Sequence, residues 1–226
     1  GQQVISVKDT VYNSGGIGIG VTENNMTNYY DDIVVRPPFD PADTLFADNF
    51  NSGVMDTLWN KRQGTWLVPP EAPGFARGSG SAHFATVAEG CDWTDYQYGI
   101  RTRIKGSDFV SSLRSYIFFR VQDEQNYYRF GICSDSGIVL HKRVDGEWTF
   151  LRNYNFIPQK NVWYTLKIEI QDNQIKGYLG LTPIPIITYT DTNNPFLNGG
   201  IGIGVLEQEG MVTDYDDVLV QPMIGQ

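Results

Sequence analysis

Apolar and polar residues alternate with period two along most of this chain, and no stretch longer than a turn or two follows the helical period. The clearest run is 162–170, with Val162, Tyr164, Leu166, Ile168 and Ile170 on one face and Trp163, Thr165, Lys167 and Glu169 on the other. One face packs and the other meets solvent or a ligand. Similar runs cover 96–104, 116–122, 127–134, 138–143, 147–152, 174–179 and 184–190. The intervening segments 123–126, 134–137, 144–147 and 171–173 are rich in Asp, Asn and Gly, which tolerate the positive φ of hairpin turns. The pattern predicts an all-β fold, a long antiparallel meander built into a two-sheet jelly-roll sandwich.

The end of that pattern occurs twice. Gly-Gly-Ile-Gly-Ile-Gly-Val at 15–21, followed by Tyr30, Asp31, Asp32 and Ile33, returns at 199–205, followed by Tyr215, Asp216, Asp217 and Val218. Residues 1–37 therefore read as a partial repeat of the C-terminal strands, placed ahead of one whole module at 44–222 and a tail at 223–226. Between them, 36–43 carries Pro37, Pro38 and Pro41, which remove strand donors and make a stiff linker. Three strands without their sandwich need a partner surface: their own sandwich, a neighbouring copy or a lost domain. The neighbouring copy leads, with Val4, Ile5, Val7, Ile17, Ile19, Val21, Ile33 and Val35 as assembly residues. Head-to-tail contacts of that kind generate a filament, with other copies of the chain as partners.

Composition narrows the classes. A net charge of -9 over 226 residues argues against nucleic acid, which needs clustered Lys and Arg. No apolar run reaches the length needed to cross a bilayer. Few lysines with many Tyr, Asn, Thr and Gly suit a secreted or cell-surface β protein. The two cysteines, Cys91 and Cys133, are compatible either with one disulfide or with separate thiols.

From residue 44 onward the chain resembles the concanavalin A-like lectin and glucanase superfamily, particularly its laminin-G-like bacterial extracellular modules. The resemblance rests on Leu45 to Phe50, on Trp59 with 64–68, on Trp93 to Tyr96 and on Phe119 to Asp123. It continues through 126–130 and 163–168, and closes at 200–202 with 215–218. It implies the sandwich fold and leaves lectin, glycan-binding, adhesive and hydrolytic functions open. Laminarinase-type members carry Glu-x-Asp-x-x-Glu on one strand, and this motif is absent here: Glu169, Glu207 and Glu209 do not reproduce it. No catalytic residue is assigned.

Two candidate sites remain. Tyr116 and Arg120 alternate onto one face with Phe118, Tyr127 and Arg129 onto another, and His141 and Arg143 share a third. Rings stack on sugars and guanidinium groups bond hydroxyls or carboxylates, so these six could hold a polysaccharide; equally, they could be cross-strand pairs on a solvated face. Asp216 shares a side with Val218 and Val220 if alternation is unbroken, and a core-side carboxylate needs partners. A structural Ca2+ held by Asp48 and Asp216 is one solution, and hydrogen bonding to backbone donors is the other. The chain is thus expected to be a non-enzymatic extracellular structural or adhesive protein, or else a secreted glycan-binding module of a larger polysaccharide-active protein.

Overall fold

The computed structural model describes residues 44–72, 74–105, 113–206 and 210–223. The partial repeat, the assembly residues from Val4 to Val35, and the linker lie outside the described residues. The strands are β1 (Phe46–Asp48), β2 (Asn60–Leu67), β3 (Ala76–Val87), β4 (Tyr96–Ile104), β5 (Arg114–Val121), β6 (Tyr127–Cys133) and β7 (Gly137–Val144). They continue as β8 (Glu147–Tyr154), β9 (Trp163–Gln171), β10 (Gln174–Leu179), β11 (Ile187–Thr190), β12 (Gly200–Val205) and β13 (Met211–Pro222). Every pairing among the described residues is antiparallel. The bounds of β4 and β10 coincide with the alternating runs, because uninterrupted period-two patterning is what a half-buried strand requires.

The hydrogen-bonded order is β11-β10-β9-β4-β13-β3-β12-β5-β6-β7-β8, with β1 added to β13 and β2 to β3. The path folds over at β3, whose first half pairs with β13 and whose second half pairs with β12. Two layers result. Tyr98, Ile100, Leu166 and Ile168 from one face Ile117, Phe119, Phe130, Leu140 and Ile203 from the other in one continuous apolar core. Gly177 on β10 lets the layers approach: a Cβ there would stand 2.4 Å from the Phe130 ring.

The segment 69–80 reads as a loop in the sequence, yet β3 begins at Ala76. Gly78 sits where backbone must pass close to His83 and Trp66, with space for no side chain. The glycine there serves packing within a strand rather than a turn.

Two buried cations close one end of the sandwich. Lys142 donates to Asp191 Oδ2 at 2.8 Å and to the carbonyls of Asn193 and Asn194 at 2.7 and 2.6 Å. Burial pushes the Asp191 carboxyl up, but Lys142, Tyr128 and the Asn193 N–H outweigh it and hold the group below its ordinary range. The second cation is Arg120.

Candidate functional site

The outer face of β5 to β8 carries a second, smaller cluster of Phe84, Tyr116, Phe118, Val121, Tyr127, Cys133, Val139 and Leu206. Register sets its composition. Tyr127 lies opposite Arg143, which lies opposite Trp148; Phe118 lies opposite Arg129, His141 follows, and Phe150 completes that row. Ring centroids stand 5.2 Å apart for Phe118 and Tyr127, 5.7 Å for Tyr127 and Trp148, and 5.6 Å for His141 and Phe150. Arg129 threads between rings, its guanidinium carbon 3.6 Å from the Trp148 centroid and 4.5 Å from that of Tyr116. Arg143 is fixed by Nε donating to the Gly146 carbonyl and Nη1 donating to the Tyr127 hydroxyl, both at 2.9 Å.

Tyr116 and Tyr127 are buried, His141, Arg143 and Trp148 are half-buried, and Phe150 is 57% exposed. Burial, reinforced by the charges of Arg129 and Arg114, pulls His141 down to about 4, so its imidazole is neutral near pH 7. His141 Nδ1 and Trp148 Nε1 are buried with no hydrogen-bond partner among the described residues. Five of the six residues proposed from the sequence for glycan contact thus share one face, and Trp148 and Phe150 join them. The alternation of β8 contained that pair, but only the register with β7 brings them beside His141.

Arg120 is the exception. It takes φ of 49° at an irregularity between β5 and β12, where Gly200 pairs with Val121 and Ile201 with Phe119. The extra residue turns the side chain inward. Its guanidinium donates to the Phe196 and Asp172 carbonyls at 3.0 and 3.2 Å and to Asp95 at 3.4 Å, and its N–H donates to the Tyr96 hydroxyl at 2.8 Å. With 0% exposure, Arg120 pins the interior and meets no ligand on this face.

The Asp48 and Asp216 pair does not fit a cation. Asp48 accepts from the Phe50 N–H at one oxygen and from the Asp56 N–H and Trp59 indole at the other, so local donors occupy it. Asp216 lies opposite Arg101, 3.6 Å from its guanidinium, because a bulge at Asp217 (φ 51°) breaks the alternation and leaves Asp216 on the outer side. Among the described residues no group of three His, Cys, Asp or Glu side chains is placed to share a metal. Asp216 takes the alternative of a backbone donor, accepting from the Asp217 N–H at 2.6 Å. Cys91 and Cys133 are free thiols rather than a bridge. Glu169 is engaged by Lys167 and Tyr178 on the outside of the opposite layer, and Glu207 and Glu209 lie outside the described residues.

Comparison with known proteins bears on the fold. No family model matches the sequence. An uncharacterized protein of Methanocaldococcus jannaschii is 32% identical over 136 residues, covering 58% of this chain and 55% of the relative, so the chain spans about half that protein's length. Among solved structures, the carbohydrate-binding module CBM66 from Bacillus subtilis superposes with a TM-score of 0.60 at 21% identity, over 73% of this chain and 96% of the module. The VIP36 exoplasmic/lumenal domain, in a Ca2+/Man3GlcNAc-bound form, gives 0.58 at 11% identity, over 83% of this chain and 91% of the domain. The GH43 protein BlXynB from Bacillus licheniformis gives 0.58 at 14% identity, over 84% of this chain but 41% of that protein. The fold is a lectin-like β-sandwich of the concanavalin A type, shared with carbohydrate-binding modules and lectin domains.

Proposed function

We propose that residues 44–222 form a non-catalytic, secreted glycan-binding module serving a larger polysaccharide-active protein. The observation that carries this reading is the outer face of β5 to β8, where Trp148, Phe150, His141 and Arg143 reach solvent above a buried aromatic base. Aromatic planes stack on the apolar faces of sugar rings, and the guanidinium supplies directional donors to hydroxyl oxygens. Such a mixed surface suits a ligand that is itself half apolar and half polar. The fold likeness to carbohydrate-binding modules supports this reading over head-to-tail assembly.

The test is a printed array of neutral and uronate-containing oligosaccharides probed with the full chain and with Trp148→Ala. Removing an anchoring ring from a binding face weakens affinity by roughly tenfold or more. An unchanged array profile for Trp148→Ala, or silence of the parent protein across the array, would refute the assignment.

A further inference from the structure

We propose that a cleft at the far side of the same layer, between the β2–β3 edge and the turn that follows β5, is a second saccharide site that takes an uncharged sugar by its hydroxyls. The ligand class rests on the glycan-binding reading; the site stands on its own geometry. The cleft has a volume of about 480 Å³ and is lined by Leu58, Asn60, Arg62, Thr86, Glu89 and Gln122, with Ala88 at its wall. That volume falls within the range of small-molecule sites.

Its polar groups come from three separate segments and are held in place before any ligand arrives. Arg62 is the residue skipped at the first of two irregularities in the β2–β3 ladder, between Lys61 and Gln63, and bulges of this kind re-aim side chains. Its guanidinium bonds Glu89 and stands 3.5 Å from Glu124. Glu89 also accepts from the Thr86 hydroxyl at 3.3 Å. Gln122 donates its amide N–H to the Asn198 and Arg120 carbonyls, which fixes the side chain. The cleft therefore presents donors and acceptors together, as the hydroxyls of a sugar require, since each hydroxyl both donates and accepts.

Backbone conformation supplies a second, independent observation. Among the described residues, eight non-glycine positions have positive φ, and five of them are Asn or Asp, which tolerate it. The other three are Phe50, Ala88 and Arg120. Ala88, at φ 53°, lines the cleft, and Arg120 supplies the carbonyl that holds Gln122. Strained positions persist where the surroundings over-determine them, and they gather at binding sites.

Charge selects the ligand. Two carboxylates, Glu89 and Glu124, stand against one guanidinium, which repels an anionic sugar and leaves neutral polyols. The cleft adjoins the aromatic face at Phe84 and through Glu124, whose carbonyl accepts from Arg143 at 3.4 Å, but its centre lies well away from His141. Thr86 lies opposite Gly202, then Phe118, Arg129 and His141 follow across the sheet, four strand spacings or roughly 19 Å away.

The experiment uses the full chain and the array described above, with Arg62→Ala and Glu89→Gln compared with the parent and with Trp148→Ala. Arg62 is exposed and Glu89 half-buried, and Glu89→Gln keeps the side chain's shape, so both variants should stay close to the parent's thermal midpoint. Loss of a charge-assisted hydrogen bond should weaken at least one neutral glycan by roughly tenfold while leaving the uronate-containing spots unchanged. Titration of that neutral glycan should also move the Arg62 Nε–Hε cross-peak. If Arg62→Ala and Glu89→Gln superpose on the parent while Trp148→Ala does not, the cleft is not a site and the glycan-binding reading survives. If no protein binds any spot, both are wrong.

Discussion

Arg120 and Asp216 show how a single inserted residue changes what a side chain can do. In each case a positive φ, at Arg120 itself and at Asp217, accompanies a shift of register that reverses the alternation beyond it. Arg120 is carried into the interior and Asp216 out of it. The consequence for Arg120 is energetic: its charge is buried, and its partners, the carbonyls of Phe196 and Asp172 and the Asp95 carboxylate, have arranged themselves around it. Truncation leaves those partly exposed acceptors short of a donor and removes a fully buried side chain, which costs about 1–3 kcal/mol. Arg120→Ala should therefore lower the urea midpoint by an amount corresponding to that range, with an unchanged m-value. Loss of glycan binding in this variant would report unfolding rather than a lost contact. A midpoint within error of the parent would show that the guanidinium is dispensable to the interior.

At the scale of elements, strand length decides which side chains can meet. Cys133 lies opposite Arg114 at the start of β5, whereas Cys91 follows Gly90, whose N–H donates to the Val121 carbonyl at the end of β5. Seven residue steps separate those ends, about 23 Å of extended chain, against the roughly 7 Å that a disulfide tolerates between Cα atoms. Both thiols should react with Ellman's reagent in guanidinium without prior reduction, giving two equivalents per chain; a value near zero would contradict the strand order. This separation was not legible in the sequence, where the cysteines stand only at the margins of alternating runs. The runs themselves were legible: 96–104 and 174–179 match β4 and β10, because nothing interrupts their period. What escaped is what depends on register. The bulge at Arg120, the strand beginning at Ala76 and the convergence of Arg62, Glu89 and Gln122 all arise from backbone meeting backbone across distant segments. No local pattern encodes them. Tyr116, Tyr127, Arg129, His141 and Arg143 share a face because each obeys simple alternation on neighbouring strands.

For the molecule as a whole, the buried histidines and Asp216 pull stability in opposite directions with pH. Burial lowers His83 and His141 from about 6.5 to about 4, His83 beside Trp66 and Thr213 and His141 facing Arg129 and Arg114. Between these values the unfolded chain binds two protons that the folded chain refuses, so each histidine destabilises the fold as pH drops from 6.5 to 4. Asp216 does the reverse: burial, and then the neighbouring charge of Asp217, raise it from 3.8 to about 6 against the attraction of Arg101, so the folded chain binds one proton more over much of the same window. Asp191 and Glu169 are held below their ordinary ranges and act only beneath about pH 4.5. Two protons against one leave a net slope of roughly 1 kcal/mol per pH unit, with stability rising with pH between about 4 and 6. Urea midpoints measured across that window should show it. His141→Gln should flatten the profile, because one histidine and Asp216 then cancel, whereas Asp216→Asn should steepen it and raise stability at pH 7. Profiles that move together in the two variants would mean that the window is governed by other groups.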